Sequence, residues 1–387
     1  MRYVVNAVTM APIGGVEMST TQVNRRLAER GHEVHALYRD PGVLLPEWQS
    51  FARSVVRVPS FDWHRDRAAR ELWQLRPAVQ AARAARPDVI YLNRVEQIGW
   101  GLAAAGASRA SLVVHLRNQP SFPGMKVVSR MTARFIAVSE CMRRIWIDSG
   151  VEPDKITTVH NGILAEDYPV GGLAERAAAR AELGLPRDAF IPLYLGRVAP
   201  EKGVPTLLQA WRRLGWSTDD ARLLLVGTES SGPEYEHLLE VRRDEPAGLH
   251  WLPKRRDVIT ALHAADVVVL PALWEEPFGR VVIEAMATGR PIVASRVGGI
   301  PEIMTGEAAQ WLVEPGDADA IAAQLAALRD WRRDDPGLAD RCVQHVRREF
   351  SLDRTADGVE SVLQDVVHSR RRAGRAGGRQ LAGATAK

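Results

Sequence analysis

The sequence predicts two consecutive α/β domains, each a doubly wound sheet of parallel strands, that face each other across a cleft. Three observations lead to this fold class. A length of 387 residues suits two domains of medium size. Short apolar segments alternate with amphipathic helical patterns, which is typical of parallel sheets covered by helices. The alternation stops in the polar, Gly- and Pro-containing stretch 159–172 and then restarts, so this stretch is predicted to be a linker.

The first predicted domain spans residues 1–165 and begins with the apolar strand RYVVNAVTM. The loop APIGGVE follows, then an amphipathic helix that ends at Gly31, and then the strand EVHALY. Further strands are expected at 88–93, 111–117 and 134–139. Because open α/β sheets bind ligands at the carboxyl ends of their strands, functional residues are expected in the loops that follow these strands.

The second predicted domain spans residues 166–350, with the strands FIPLYLGR, RLLLVG, LHWLP, DVVVLPA, PIVAS and AQWLV. A final helix is expected at 351–367, with Ser351 as its N-cap. Residues 368–387 contain almost no large apolar side chains, so they are predicted to form a disordered basic tail.

The composition excludes several classes of protein. Hydrophobic residues make up 46% of the chain and charged residues 25%, which is ordinary for a soluble globular protein. No apolar run approaches the roughly 18 residues that span a bilayer, and the start of the chain lacks the layout of a signal peptide. The two cysteines, Cys141 and Cys342, are far apart, which argues against a disulfide framework and a zinc site. A cytoplasmic protein without a metal site is expected.

The net charge of +4 does not indicate a nucleic-acid partner. Residues 370–387 hold six Lys and Arg and no acid, and removing these six charges from +4 leaves −2 for the rest of the chain. No interleaving of basic and aromatic residues suggests a nucleic-acid platform. The Arg-rich segment 53–86 is interrupted by acids and is interpreted as a solvated face. Pelleting with anionic vesicles would instead identify it as a membrane-docking surface.

The loop LWEEPFG precedes a predicted helix, RVVIEAMATG, and places carboxylates on both sides of the helix start. Free amides near Arg280 and Val281, together with the helix dipole, form an anion site suited to phosphate. Glu276 lies just before this site and Glu284 about one turn into the helix. Carboxylates repel phosphate but accept hydrogen bonds from vicinal hydroxyls. A phosphate flanked by two polyols describes a nucleotide sugar, although either glutamate alone would equally fit an ordinary charged position.

Two further loops belong to the same interpretation. The segment GRVAPEKG presents Arg197 and Lys202 after a strand, as a cationic pair suited to neutralise a diphosphate. Gly14 and Gly15 in APIGGVE allow close approach of backbone to a ligand. The loop is not GxGxxG, so nothing indicates a nicotinamide or flavin cofactor.

Together these motifs resemble those of the GT-B glycosyltransferases of family 4. The matching segments are GGVE, VSECMRRIWIDSGVEPDKITTVHNGIL, GRVAPEKG and the pair Glu276 and Glu284 with seven residues between them, in family order over about residues 1–365. The resemblance implies two Rossmann-like domains, with the final helix returning to the first of them. It also implies retaining glycosyl transfer from a nucleotide sugar, without a metal or other cofactor.

The resemblance also implies roles for individual residues. Arg197 and Lys202 would hold the diphosphate, Glu276 would contact the hydroxyls of the donor sugar, and Glu284 would hold the ribose. His115, in VVHLRN, matches the strand-end histidine near the reacting sugar. The amides of Phe278 and Gly279 would lie beside Glu276. The acceptor pocket has three candidate residues, which are Glu17, Asn93 and Glu96.

The expected activity is transfer of a hexose or N-acetylhexosamine, from a UDP-linked donor by family analogy, to a hydroxyl of a small acceptor. The Ala- and Arg-rich composition and the basic tail faintly resemble the glycosyltransferases of aminoglycoside antibiotic biosynthesis, which act on aminocyclitols such as 2-deoxystreptamine. Cell-envelope or lipid-linked glycans and the inositols of thiol precursors are alternative acceptors. A nucleotide-sugar epimerase, a phosphorylase or a non-catalytic binding module of the same fold is the alternative in function.

Overall fold

The computed structural model describes residues 1–11, 14–62, 68–121, 123–228, 243 and 245–384 of the chain. Residues 63–67 of the Arg-rich segment and 385–387 of the basic tail therefore lie outside the described residues. The chain forms two compact units. Unit 1 consists of residues 1–162 together with the chain from 352 onward, and unit 2 consists of residues 163–351.

Unit 1 is built on a seven-stranded parallel sheet with the strand order β3-β2-β1-β4-β5-β6-β7. Its strands are β1 (Arg2–Asn6), β2 (Glu33–Tyr38), β3 (Ser54–Arg57), β4 (Val89–Leu92), β5 (Ser111–Leu116), β6 (Arg134–Ala137) and β7 (Ile156–Thr158). Its first six helices are α1 (Gly15–Glu29), α2 (Leu45–Phe51), α3 (Ala68–Ala84), α4 (Ile98–Ser108), α5 (Met125–Met131) and α6 (Glu140–Asp148). Sequence analysis did not predict β3 and β7, because both are short and β7 has one buried residue.

The strand order of unit 1 reverses direction beside β1, which pairs with β2 on one side and with β4 on the other. Helices cover both faces of such a sheet, so its central strands are apolar throughout. All four residues of β4 are buried, as are four of the five in β1. The carboxyl ends of β1 and β4 diverge at this reversal, which is where open α/β sheets bind ligands.

Unit 2 is built on a six-stranded parallel sheet with the strand order β10-β9-β8-β11-β12-β13. Its strands are β8 (Pro192–Arg197), β9 (Leu223–Thr228), β10 (Leu249–Pro253), β11 (Val267–Leu270), β12 (Ile292–Ser295) and β13 (Leu312–Val313). Its helices are α7 (Leu173–Glu182), α8 (Val204–Leu214), α9 (Val258–Ala264), α10 (Arg280–Ala287), α11 (Ile300–Ile303), α12 (Ala318–Ala327), α13 (Trp331–Asp334) and α14 (Leu338–Glu349). The order reverses between β8 and β11, so the loops after these two strands flank the equivalent point of this sheet.

A buried carboxylate, Asp266, joins three arginines of unit 2 just before β11. Its oxygens lie 2.9 Å from Nε of Arg176, 2.7 Å from Nη2 of Arg180 and 3.3 Å from Nε of Arg332. Burial by itself raises the pKa of Asp266, but the guanidinium groups of Arg180 and Arg176 outweigh it, and the pKa lies below its ordinary value. The buried aspartate is therefore ionised at neutral pH and anchors α7 and α13 to the start of β11.

The last helix of the chain, α15 (Leu352–Ala384), belongs to unit 1. It packs against α1 and against β4, β5 and β6, and its residues Val359 and Leu363 are fully buried. The prediction of a disordered tail from residue 368 is wrong as far as Ala384, because the helix continues to that residue. The tail is rich in Ala and Arg, two residues that strongly favour helix, so the absence of large apolar side chains did not end the helix.

No helix within the described ranges combines the length and the apolar character needed to cross a bilayer. Over the same ranges, no cluster of three or more His, Cys, Asp and Glu side chains is arranged to hold a metal ion.

Candidate functional site

Glu276 lies in the loop after β11 and is fixed through one of its two carboxylate oxygens. Nζ of Lys202 lies 2.5 Å from Oε2 of Glu276, and Nε1 of Trp274 donates to the same oxygen over 3.1 Å. The Lys202 ammonium also lies 5.0 Å from the centre of the Trp274 ring, a cation–π contact. Within the described part of the chain, Oε1 of Glu276 has no protein donor. One oxygen is anchored and the other remains for a ligand.

The loops after β8 and β11 are also joined through their backbones. The amide of Leu273 donates to the carbonyl of Glu201 over 2.9 Å. Arg197 ends β8, and its Nη2 lies 3.1 Å from Oε1 of Glu201. The side chain of Arg197 is 45% exposed, whereas that of Lys202 is 15% exposed. Arg197 is thus the more exposed of the two cations, whereas Lys202 is held beside Glu276.

A third loop, after β12, contacts the backbone of Glu276. Sequence analysis did not identify this loop. The amide of Gly299 donates to the carbonyl of Glu276 over 2.8 Å. Gly298 has φ +60°, and a Cβ on it would lie 2.1 Å from that same carbonyl oxygen. Only glycine fits this approach. The signal was present in the sequence as the pair of glycines in VGGIPE.

Glu284 lies on α10 and repeats the arrangement seen at Glu276. Its Oε1 accepts a hydrogen bond from Nε of Arg280 over 2.6 Å and another from the hydroxyl of Tyr168 over 2.9 Å. Oε2 of Glu284 has no protein donor within the described residues, and the residue is 8% exposed. Sequence analysis missed Tyr168, because it lies 116 residues from Glu284 in a stretch predicted to be a linker.

The start of α10 lies between the two glutamates. Gly279 precedes the helix with φ +93°, and the first helical residues are Arg280 and Val281. Phe278 is buried, and its ring centre lies 6.0 Å from that of Phe350. Phe278 can therefore offer a ligand its amide but not its ring. Backbone amides at the start of a helix are suited to an anion.

In unit 1, Glu17 lies at the first turn of α1 and closes the loop after β1. Its Oε2 accepts from the amide of Gly14 over 2.9 Å, and its Oε1 pairs with Nη2 of Arg94. Gly14 has φ −164°, an extended conformation that any residue adopts, and Gly15 is the first residue of α1. The two glycines are therefore placed at a helix start, but the conformation of Gly14 does not require glycine.

Asn93 follows β4 and lines a small pocket of unit 1 together with Glu17 and Arg94. It is 2% exposed, and its Oδ1 accepts from Nη2 of Arg117 over 3.2 Å. Its Nδ2 is buried and has no acceptor among the described residues. Glu96 is exposed and accepts a weak hydrogen bond of 3.4 Å from Nδ2 of Asn118. Of the three acceptor candidates, the structure brings Glu17 and Asn93 together but leaves Glu96 apart from this pocket.

His115 is the second-last residue of β5. It is completely buried, and its Nδ1 is 2.7 Å from the hydroxyl of Tyr91. Burial, and then the positive charge of Arg117, lower the pKa of His115 well below its ordinary value, so the ring is neutral. His115 has no exposed surface, and its place beside the reacting sugar stays a prediction. The strand ends at Leu116, one residue before its predicted end at residue 117.

Arg117 is the first residue beyond β5, and sequence analysis did not single it out. Besides its bond to Asn93, its Nη1 donates to Oγ of Ser19 and to Oδ1 of Asn161, both over 3.1 Å. It therefore joins the end of β4, the helix α1 and the segment after β7. A buried arginine that bridges three elements fixes the positions of the polar side chains around it.

Comparisons with known proteins match both units. Residues 189–330 match the family model "Glycosyl transferases group 1", and residues 13–166 match "Glycosyltransferase Family 4". Together the two models match most of the chain. The chain belongs to the family 4 glycosyltransferases. The similarity predicted from the sequence motifs is thereby confirmed.

The relatives of this glycosyltransferase include proteins named D-inositol 3-phosphate glycosyltransferase. The protein of that name from Acidothermus cellulolyticus is 28% identical over 93% of this chain and 87% of its own length. The one from Streptomyces bingchenggensis is 34% identical over 58% of this chain and 50% of its own length. The chain thus matches most of the first relative and half of the second.

Solved structures show the fold of this glycosyltransferase. HepE from Anabaena, in complex with UDP-glucose, has a TM-score of 0.79 at 21% identity, covering 94% of this chain and 100% of HepE. Sucrose-phosphate synthase from Thermosynechococcus elongatus has a TM-score of 0.75 at 22% identity, covering 95% of this chain and 100% of the synthase. The predicted GT-B fold is confirmed.

Proposed function

We propose that this glycosyltransferase moves a hexose or N-acetylhexosamine from a UDP-sugar to a hydroxyl of a small cyclitol. The acceptor that we favour is an inositol phosphate. The anomeric configuration is retained in this proposal. The observation that supports it most strongly is the pairing of Glu276 and Glu284 around the start of α10. Each carboxylate is anchored through one oxygen and offers the other, and helix amides lie between them.

The donor follows from this arrangement. Carboxylate oxygens accept hydrogen bonds from sugar hydroxyls, whereas helix-start amides favour phosphate. Glu276 would take the transferred sugar and Glu284 the ribose, with the diphosphate between them. The complexes of HepE with UDP and with UDP-glucose support uridine as the base, although they are properties of that protein.

The chemistry proposed for the site is the departure of UDP with its negative charge stabilised. The bond between the anomeric carbon and the diphosphate oxygen breaks, and the acceptor hydroxyl forms the new bond from the same face. The hydroxyl proton passes to the departing phosphate oxygen. Arg197, Lys202 and the amides of α10 would stabilise the charge that develops on that oxygen. A single well-placed donor contributes about 3 kcal/mol to such a step, and no protein nucleophile or metal is assigned.

The acceptor is proposed from the relatives and from the pocket of unit 1. Two of the relatives described above are named for D-inositol 3-phosphate, which favours a cyclitol phosphate over the aminocyclitol expected from the sequence. The pocket supplies the carboxylate of Glu17, the guanidinium of Arg94 and the unpaired amide donor of Asn93. Such a set suits ring hydroxyls beside an anionic group.

The test is a thermal-shift panel of UDP-, GDP-, dTDP- and ADP-sugars, followed by an acceptor screen. A ligand at 100 times its Kd stabilises the folded state by about 2.7 kcal/mol, and a selective shift with UDP-sugars is expected. With the donor fixed, inositol 3-phosphate, free inositol and 2-deoxystreptamine are compared by mass spectrometry of the products. No shift with a UDP-sugar would overturn the donor, and glycosylation of 2-deoxystreptamine alone would overturn the acceptor.

A further inference from the structure

Tyr168 lies in the first segment of unit 2, between the short 3₁₀ turn Ala165–Asp167 and α7. It is largely buried, and its hydroxyl has two partners on α10. The hydroxyl donates to Oε1 of Glu284 over 2.9 Å and accepts from Nη2 of Arg280 over 3.3 Å. Burial, and then the negative charge of Glu284, raise the pKa of Tyr168 above its ordinary value, so the hydroxyl remains a donor.

The segment that contains Tyr168 is fixed on its carboxyl side by buried side chains. Nε2 of His263 donates to the carbonyl of Pro169 over 2.8 Å, and Nη1 of Arg290 donates to the carbonyl of Gly171 over 2.8 Å. Arg290 is completely buried. A Cβ on Gly171 would lie 2.5 Å from the ring of His263, so the backbone is packed directly against that side chain.

The segment is fixed on its amino side as well. The amide of Ile163 donates to the carbonyl of Phe350 over 3.0 Å. Tyr168 is therefore attached to a backbone that is held at both ends, whereas Arg280 and Glu284 both project from one short helix. A donor on an independent, fixed segment restricts a carboxylate more than a donor one helical turn away on the same helix.

We propose that Tyr168 is a positioning residue of the donor site, which holds Glu284 through Oε1 so that Oε2 faces the 2′- and 3′-hydroxyls of the nucleotide ribose. This inference rests on the proposed function. A glutamate carboxylate rotates in a broad, roughly two-fold potential. Two donors on one oxygen remove that freedom. Tyr168 does not touch the ligand, and its effect reaches the ribose only through Glu284.

The experiment measures binding of UDP and of 2′-deoxy-UDP by isothermal titration calorimetry in the wild type and in Tyr168→Phe. Because a hydrogen bond to a charged group corresponds to tenfold or more in affinity, the wild type is expected to prefer UDP by about tenfold or more. In Tyr168→Phe the Kd for UDP is expected to rise several-fold and the Kd for 2′-deoxy-UDP to change less. The kcat at saturating UDP-sugar should stay near the wild-type value.

Tyr3→Phe is the matched control. The Tyr3 hydroxyl is also buried and donates to Oδ1 of Asn24 over 2.9 Å, but it lies in unit 1. This variant should lose stability as Tyr168→Phe does and keep the wild-type preference between the two nucleotides.

Three outcomes would count against the inference, and they differ in what else they overturn. A preference for UDP that is as large in Tyr168→Phe as in the wild type would overturn the positioning role and leave the proposed function intact. A wild type that binds UDP and 2′-deoxy-UDP equally would overturn the ribose contact of Glu284. A wild type that binds neither nucleotide would overturn the proposed donor site itself.

Discussion

The ammonium of Lys202 lies 2.5 Å from Oε2 of Glu276, and these two residues are 74 positions apart in the sequence. They meet because β8 and β11 are neighbours at the point where the strand order of unit 2 reverses, so the loops after both strands reach the same place. Trp274 completes the group by donating to the same carboxylate oxygen. Besides the proposed contact with the diphosphate, Lys202 thus has a second role, because it orients the carboxylate of Glu276.

Replacing Glu276 by Gln is expected to lower kcat with the preferred UDP-sugar by about 100-fold or more, as for loss of a transition-state contact. The amide keeps the shape of the side chain but loses the charge that orients Lys202. Because Glu276 is assigned to the transferred sugar and not to the nucleotide, the Kd for UDP should stay near the wild-type value. Steady-state kinetics and calorimetry measure the two quantities.

Glu314→Gln is the matched control for that loss of charge. Glu314 also lies in unit 2 and pairs with Arg296 over 3.2 Å, but it is 71% exposed. Its removal should leave both kcat and the Kd for UDP unchanged. Equal activity of Glu276→Gln and Glu314→Gln would show that Glu276 has no role in transfer.

Gly298→Ala is expected to displace the Glu276 loop and to abolish donor binding. The new Cβ would occupy space 2.1 Å from the carbonyl oxygen of Glu276. Gly215→Ala is the control, because Gly215 has φ +58° and a Cβ there meets nothing within 4 Å. Both variants carry the left-handed strain of about 1–2 kcal/mol, so a difference between them isolates the displacement. Urea unfolding measures the stability of both variants and calorimetry their affinity for the UDP-sugar. Equal UDP-sugar affinity in the two variants would refute the prediction.

His115 is expected to stay neutral from pH 6 to 8, because burial and then Arg117 lower its pKa well below the ordinary value of about 6.5. The unfolded chain takes up a proton at this residue below about pH 6.5 and the folded chain does not. Its contribution to stability is therefore complete above that pH and declines as the pH falls. NMR of labelled histidine should show one ring signal that is constant over this range and disappears in His115→Asn. A signal that titrates near pH 6.5 would contradict the assignment.

Asp266→Asn is expected to destabilise the protein by about 3–5 kcal/mol at pH 7, since it leaves three arginines around an uncharged group. The pKa of Asp266 is lowered in the folded state, so its contribution is present above the unfolded pKa of about 3.9 and is lost as the pH falls below that value. The difference in the free energy of unfolding between Asp266→Asn and the wild type should therefore become smaller at low pH. Urea unfolding at pH 7 and at a pH below about 3.9 measures the stability of the variant and the wild type. Asp319→Asn is the control, because Asp319 is exposed. Equal stability of the two variants at pH 7 would exclude the anchoring role.

The parts of this molecule that the sequence predicts are those whose signal is local. Continuous apolar runs identified strands such as β8 and β11, because a strand buried on both faces is apolar throughout. The spacing of Glu276 and Glu284 around a helix start identified both carboxylates, since the loop and the helix are consecutive. The short strands β3 and β7 have too few apolar residues to give such a signal.

The parts that the sequence does not predict depend on contacts between distant residues. Tyr168 reaches Glu284 across 116 positions and Arg117 reaches Ser19 across 98, and neither pair has a spacing that distinguishes it. The surroundings of His115 are a further example. Sequence analysis did not predict its complete burial, which depends on the elements that cover both faces of β5 and on the hydroxyl of Tyr91. In each case the deciding information is which distant side chain the fold brings into contact.

The two ends of unit 2 meet at one point. Ile163 is bridged to Ser351 in parallel, and its amide bonds to Phe350, so the residues where the chain enters and leaves this unit are neighbours in space. Unit 2 is thus an insertion within unit 1, carried between β7 and the final helix. A module with adjacent ends tolerates excision, circular permutation and transplantation, because a short loop closes it. If this unit binds the nucleotide sugar as proposed, replacing residues 163–351 with the corresponding segment of a relative is expected to change the donor preference, and the two chain junctions of such a graft lie side by side.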